Sequence, residues 1–244
     1  MKNVVVLVLS FLFMTSAFSK KVLIVVTNHS KLGDTGVKTG YYLPEVTHPF
    51  YKFKEAGLDV DFASPKGGEA PMDEKSRDLS DPMNKRFLEN EQLMKKLSKT
   101  IPLEKINPSD YAAIVFAGGH GTMWDFKDSK WVQKVASRIY EKGGVVAAVC
   151  HGPAALVDIK LSNGKFLIEG KSVTGFTNEE EEIVKLTKVM PFLLETSLKK
   201  RGANFSKASP WKSHVIVDQR VVTGQNPASA GELGKRVVAL VQKK

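Results

Sequence analysis

The 244-residue chain is 42% hydrophobic and carries 36 Lys and Arg against 26 Asp and Glu, a formal net charge of +10. That length and apolar content suffice for one large globular domain. The basic residues are spread along the chain, apart from Lys199, Lys200, Arg201 and a Lys243-Lys244 tail, and no aromatic-interleaved basic motif accompanies them. The charge therefore reads as a solvated surface and argues against a nucleic-acid partner.

At the start, Lys2 precedes an apolar run from Val4 to Met14, and Thr15-Ser16-Ala17-Phe18-Ser19 follows. A charged start, an apolar core too short to span a bilayer and the Ala17-x-Ser19 pair form a secretory signal pattern. Residues 1–19 are expected to be removed on export, leaving residues 20–244 as a single periplasmic or secreted domain. No stable membrane association is expected after that removal.

Val22–Thr27, after Lys20-Lys21, makes a better first strand than the run at the start. An amphipathic helix is predicted near Glu45–Ala56, with Gly57 ending it. Asp59–Ala63 reads as a second strand, Lys66–Pro82 as a polar, loop-rich insertion, and Asn84–Lys99 as a helix. Ala112–Phe116 is a third buried strand that runs into "AGGHGTMWDF", Ser129–Lys142 a helix, and Val145–Val149 a fully apolar strand. Two strands around Asp218-Gln219 suggest a hairpin in "HVIVDQRVVTG", and Ser229 is placed to cap a final helix through Lys243. Strands alternating with helices predict an α/β fold whose mostly parallel sheet is covered by helices on both faces.

Two of these strands end in chemically loaded loops. Cys150, the only cysteine, follows Val145–Val149 in "GGVVAAVCHGPAAL", and Gly118-Gly119-His120-Gly121 follows Ala112–Phe116. Ligands of open α/β sheets collect beyond the carboxyl ends of the strands. A strand–nucleophile–helix corner lifts a side chain off the backbone, and a helix amino terminus favours thiolate over thiol. Gly118, Gly119 and the amide of His151 are positioned by sequence to stabilise an oxyanion. An isolated Cys after an apolar strand is also an ordinary small buried hydrophobe. The strand end, the following helix start and the second glycine-rich loop together favour a nucleophile. A lone thiol pairs with no second cysteine, so in an oxidising compartment it is either buried or kept for reactivity.

"AVCHGPAAL", "FAGGHGTMWDF", "TGYYLPEVTHPFYKFKEAGLDVDFASPKGG", "GKSVTGFTNEEE" and "VVTGQNPASA" occur in this order. Together they resemble the DJ-1/PfpI superfamily, relatives of the class I glutamine amidotransferases with a flavodoxin-like sheet. Within it they are most similar to the heat-shock-type glyoxalase branch. The resemblance implies Cys150 as nucleophile, Glu45 as the acid beside its sulfur, His151 as the following histidine, and Gly118, Gly119 and His120 as the oxyanion and substrate side. It implies Glu181 as the third acidic residue; the run Glu179–Glu182 leaves Glu180 as the alternative register. The implied activity is glutathione-independent conversion of methylglyoxal, a small reactive carbonyl, to lactate, with protein deglycase activity as an allied possibility. No cofactor is implied, and a homodimer is.

Two other classes compete. A cysteine peptidase or amidase would share the corner and the oxyanion loop; a glutamine amidotransferase would need a downstream His-Pro-Glu, which is absent. A stress holdase chaperone would need an exposed apolar patch and rests on analogy alone. Glu45 and His48, with His120 as a further candidate, offer weak metal-ligand spacing, which Pro49 and the missing clear third ligand undercut, so no metal is expected.

Overall fold

A computed structural model describes residues 20–243, and the signal pattern at 1–19 lies outside the described residues. Strands β1 (Lys21–Val25) and β2 (Asp59–Ser64) flank helix α1 (Leu43–Glu55). Helices α2 (Pro82–Leu88) and α3 (Glu91–Ser98) lead to the short strand β3 (Ile101–Pro102) and then to β4 (Tyr111–Phe116). Next come α4 (Thr122–Asp125), α5 (Lys130–Glu141) and β5 (Val145–Val149). The remainder is β6 (Ser172–Val173), α6 (Asn178–Ile183), α7 (Leu194–Lys200), β7 (Asn204–Phe205), β8 (Val215–Asp218), β9 (Val221–Gly224) and α8 (Ala230–Gln242).

Seven strands form one sheet in the order β3-β2-β1-β4-β5-β9-β8, and β6 and β7 form a separate pair. All neighbours in the large sheet run parallel except the β8–β9 hairpin. The near-continuous Val, Ile, Leu and Ala runs of β1, β4 and β5 follow from this, since a central parallel strand is buried on both faces. Every residue of β5 is buried. Helices α1 and α8 pack against each other as one layer, and α5 covers β4 and β5 as another. At the α1–α8 crossing a Cβ on Gly234 would lie 2.9 Å from the Cα of Pro49, so this glycine allows the close approach. No helix of the described residues is long and apolar enough to cross a membrane.

Three elements depart from the sequence expectation. The helix expected over 84–99 is broken in two: Asn90 Oδ1 accepts from the Leu93 N–H and restarts the chain as α3. The apolar spacing on either side of Asn90 conceals that cap. Ser229 precedes α8 but makes no side-chain cap. Its hydroxyl instead accepts from the His214 N–H and donates to the His214 carbonyl, both at 3.1 Å, fastening the segment before β8 to the helix start. The segment after Cys150, expected to be a helix, is a five-residue 3-10 turn, Gly152–Leu156.

Candidate active site

Cys150 closes β5 with a φ of 58°. A left-handed backbone at a non-glycine residue costs on the order of 1–3 kcal/mol and persists only where its surroundings enforce it. Here the enforcement comes from both neighbours: the Cys150 N–H donates to the Gly224 carbonyl at 2.9 Å, and the Phe176 N–H donates to the Cys150 carbonyl at 2.8 Å. A Cβ on Gly152 would lie 2.2 Å from the Phe116 carbonyl oxygen, so the turn is pressed against the end of β4. The 3-10 turn is too short to carry the dipole of a full helix, so the expected helix-dipole activation of the thiol is not supplied.

The His151 side chain is 1% exposed. Its Nδ1 lies 3.4 Å from Cys150 Sγ, and its Nε2 lies 2.8 Å from Glu181 Oε2. Burial, with the neighbouring His120, pushes the His151 pKa down, and its contact with Glu181 opposes that. Burial raises the Glu181 carboxyl, but the charge and hydrogen bonds of His151 and His120 outweigh it and hold the group at about 2. A neutral His151 with Nε2–H donating to an ionised Glu181 leaves Nδ1 as the acceptor facing the thiol. Glu181 Oε1 also takes His120 Nε2 at 3.1 Å, so one carboxylate orients two imidazoles whose ring centres are 4.2 Å apart.

Glu180 is fully buried but turned elsewhere. With Thr177 it forms a reciprocal capping box at the start of α6. Of the two registers open in the sequence, the geometry puts Glu181 on the imidazoles and Glu180 in the cap.

Glu45 reaches the corner from the first turn of α1. Its Oε2 accepts the Gly118 N–H at 2.7 Å, and its Oε1 has no hydrogen bond of ordinary geometry. Burial raises the Glu45 carboxyl to about 8, against the opposing bonds from Gly118 and the thiol. Burial also pushes the Cys150 thiol well up, and a Glu45 carboxylate would push it further. At neutral pH Glu45 holds its proton, which removes the repulsive part of that push and makes the carboxyl a donor toward sulfur. At neutral pH the buried carboxyl and thiol are thus both protonated, one proton on each.

That arrangement corrects one expectation. The Gly118 N–H is not offered to the pocket but is taken by Glu45. A Cβ on Gly118 would lie 2.6 Å from Glu45 Oε2, so this glycine is required for the carboxyl's approach. Gly119, with a φ of 99°, lines the pocket together with His120, Cys150 and His151. His48 is not brought to Glu45's partners: its Nε2 lies 2.6 Å from Asp81 Oδ2, at the start of α2. Among the described residues His120, His151 and Glu181 do hold three ligand-type atoms within 4.8 Å of one another. Both oxygens of that carboxylate already accept from the two imidazoles, which satisfies the trio as a hydrogen-bonded set.

The pocket above Cys150 has a volume of about 220 Å³. Besides the polar corner, Leu32, Phe176, Val184, Leu186, Trp211 and Pro227 form an apolar wall, and Tyr42, Asp73 and Lys75 complete the lining. Phe176 and Trp211 were not legible as site residues. Phe176 lies in "TGFTNEEEE", where the glutamates carry the sequence signal, and Trp211 sits in a polar "ASPWKS" stretch that reads as ordinary loop. An isolated large aromatic among turn-forming residues was the one available signal.

The pattern of the DJ-1/PfpI family matches residues 37–240. A glutathione-independent glyoxalase of Saccharomyces cerevisiae is 38% identical over 232 residues, covering 90% of this chain and 97% of that protein. Glyoxalase 3 of Candida albicans is 34% identical over 235 residues, covering 90% and 97%. Among solved structures, Rapid Encystment Protein 24 kDa of Francisella tularensis superposes with a TM-score of 0.88 at 43% identity, covering 91% of this chain and 99% of that one. Glyoxalase III of Candida albicans superposes with a TM-score of 0.84 at 33% identity, covering 91% and 97%. With a family pattern spanning most of the sheet and relatives aligned over nearly their whole length, the chain belongs to the DJ-1/PfpI family.

Proposed function

We propose that the protein is a glutathione-independent glyoxalase that converts methylglyoxal and water to lactate. The observation that carries this reading is the presence of two separate proton carriers, His151 and Glu45, on either side of one buried thiol. An internal redox isomerisation needs a group that takes a proton from one carbon and a group that returns it to the next. A peptidase or amidase needs backbone donors for an oxyanion, and here one of the expected donors, the Gly118 N–H, is bonded to Glu45. The names of the relatives support the same choice.

In the proposed sequence His151 Nδ1 accepts the thiol proton as Cys150 Sγ bonds to the aldehyde carbon. The carbonyl π pair goes to oxygen, which takes that proton from His151, giving a neutral hemithioacetal and a neutral imidazole. His151 takes the C1 proton and passes it to the C2 oxygen, giving an enediol. Glu45 then protonates C2 and its carboxylate takes the C1 hydroxyl proton, so C1 is oxidised to a thioester as C2 is reduced to an alcohol and both proton carriers are restored. Water then adds to the thioester, the C–S bond breaks, and lactate leaves with the thiol restored. No external oxidant or reductant enters. Export with loss of residues 1–19, and assembly as a homodimer, remain parts of this proposal; an intact mass beginning at Lys20 and a light-scattering mass of two chains are the expected readings.

The test is lactate formation from methylglyoxal by purified protein without glutathione, beside Cys150→Ala and Glu45→Gln. Turnover lost in the first and strongly reduced in the second supports the mechanism. A folded, reduced protein that makes no lactate overturns it and turns attention to amide hydrolysis.

A further inference from the structure

The residues around Trp211 are held more firmly than an exposed loop aromatic requires. Trp211 is 46% exposed and has a φ of 63°, a backbone region that bulky residues rarely occupy. What holds it is Glu180, itself fully buried. Glu180 Oε1 accepts the Trp211 N–H at 3.0 Å and the Asn226 Nδ2 at 2.8 Å. Glu180 Oε2 accepts the N–H and hydroxyl of Thr177 at 3.1 and 2.9 Å. A buried carboxylate with four neutral donors fixes the indole's attachment point relative to α6, the element that also carries Glu181.

The fixed indole has a use. Its ring centre is 5.8 Å from that of Phe176, and Phe176 in turn lies 4.3 Å from the His151 imidazole. A continuous aromatic wall therefore runs from the imidazole to the pocket mouth, and Leu32, Val184 and Leu186 extend the apolar lining. Methylglyoxal presents a single methyl group to this wall, which leaves most of the 220 Å³ unused.

We propose that the pocket is shaped for 2-oxoaldehydes bearing a branched alkyl or aryl group on the ketone carbon, with Trp211 as the specificity-determining residue. This rests on the glyoxalase reading and extends its substrate class. The chemistry is unchanged: the aldehyde carbon is oxidised to a carboxyl, the ketone carbon is reduced to an alcohol, and one water is consumed. Only the group lying on the aromatic wall differs. Each additional methylene removed from water there should raise kcat/KM about fourfold.

The experiment compares kcat/KM for methylglyoxal, isobutylglyoxal and phenylglyoxal without glutathione, in the full protein and in Trp211→Ala and Trp211→Phe. The unsubstituted protein should favour the two larger aldehydes by about tenfold or more. Trp211→Ala should remove most of that ratio, and Trp211→Phe, which keeps an aromatic face, should retain more of it. A ratio near one in the unsubstituted protein, or a ratio that Trp211→Ala leaves intact, overturns the proposal. If no aldehyde is turned over, the glyoxalase reading itself fails. The concentration of each aldehyde that shields Cys150 from iodoacetamide then decides the pocket claim. Stronger shielding by the larger aldehydes, weakened by Trp211→Ala, supports it, and equal shielding overturns it.

Discussion

Raising a carboxyl to about 8 by burial ties stability to pH in a definite direction at Glu45. The folded state binds the proton more tightly than the unfolded chain, whose carboxyl has the ordinary value of 4.5. That contribution is complete below pH 4.5 and is lost as pH rises to about 8. Glu45→Gln keeps an acceptor for the Gly118 N–H and carries no ionisable group. Its unfolding free energy should match the parent near pH 4.5 and exceed it increasingly toward pH 8, by an amount on the order of a few kcal/mol. The same substitution removes a proton donor, so kcat should fall about 10²–10⁴-fold. Stability and activity thus move in opposite directions, which a simple folding defect would not produce. Glu181→Gln acts differently. Its amide NH₂ can turn toward His151 and favour the tautomer with its proton on Nδ1. The thiol then faces a donor instead of a base, and kcat should fall by a factor of at least about 10² while KM changes little. A kcat unaffected by this change would remove Glu181 from the orienting role.

Among the elements, the turn after β5 and the start of α6 are the most exposed to single substitutions. Gly152→Ala places a methyl 2.2 Å from a backbone oxygen of β4, which has no flexible side chain to move aside. It should lower the melting temperature and displace the Cys150 corner, read by slower alkylation of the thiol or loss of turnover. Glu180→Gln replaces one acceptor oxygen, facing neutral donors only, with an NH₂ group. Leaving buried donors unmatched costs about 1–3 kcal/mol for each, so urea unfolding should shift by at least that amount. Much of this layer was legible in the sequence. The runs Val145–Val149 and Ala112–Phe116 marked strands because nothing polar interrupts them, and the corner after Cys150 followed from the change of pattern there. The break at Asn90 was not, because helical spacing continues across it. The destination of the Gly118 N–H was hidden for another reason: its partner lies 73 residues away, and no local pattern records which donor a distant carboxyl will take. Likewise, a left-handed Trp211 contradicts local preference and is enforced only by Glu180, 31 residues earlier.

For the molecule as a whole, the perturbed carboxyls pull stability in opposite directions along the pH axis. Glu181, held at about 2, contributes stability that is present above its ordinary value of 4.5 and is lost as pH falls toward 2. Glu45 and Asp125 act on the other limb. Burial raises Asp125 to about 7 against the hydrogen bonds it accepts from the Asn28 N–H and the Thr27 hydroxyl. Their contributions fade as pH rises through the folded values. A net charge of +10 at neutral pH grows as carboxyls are protonated and steepens the acid limb through self-repulsion. Unfolding free energy measured by urea titration should therefore peak in the mildly acidic range, near about pH 5. A flat profile from pH 4 to 9 would mean that these buried carboxyls titrate as they do in the unfolded chain. The parallel sheet and the order of its loops were accessible from sequence because they are written in long apolar runs. The balance of these charges was not, because it depends on burial and on partners far apart in the chain.

The chain's one thiol is also the nucleophile of the proposed reaction. Any thiol-selective reagent therefore reports on a single location, and the moles of label bound per mole of chain give the fraction of reactive thiols directly. A preparation partly oxidised at Cys150 would betray itself as a shortfall in that stoichiometry, matched in proportion by its shortfall in rate. The molecule thus carries its own internal standard, against which every specific activity can be corrected.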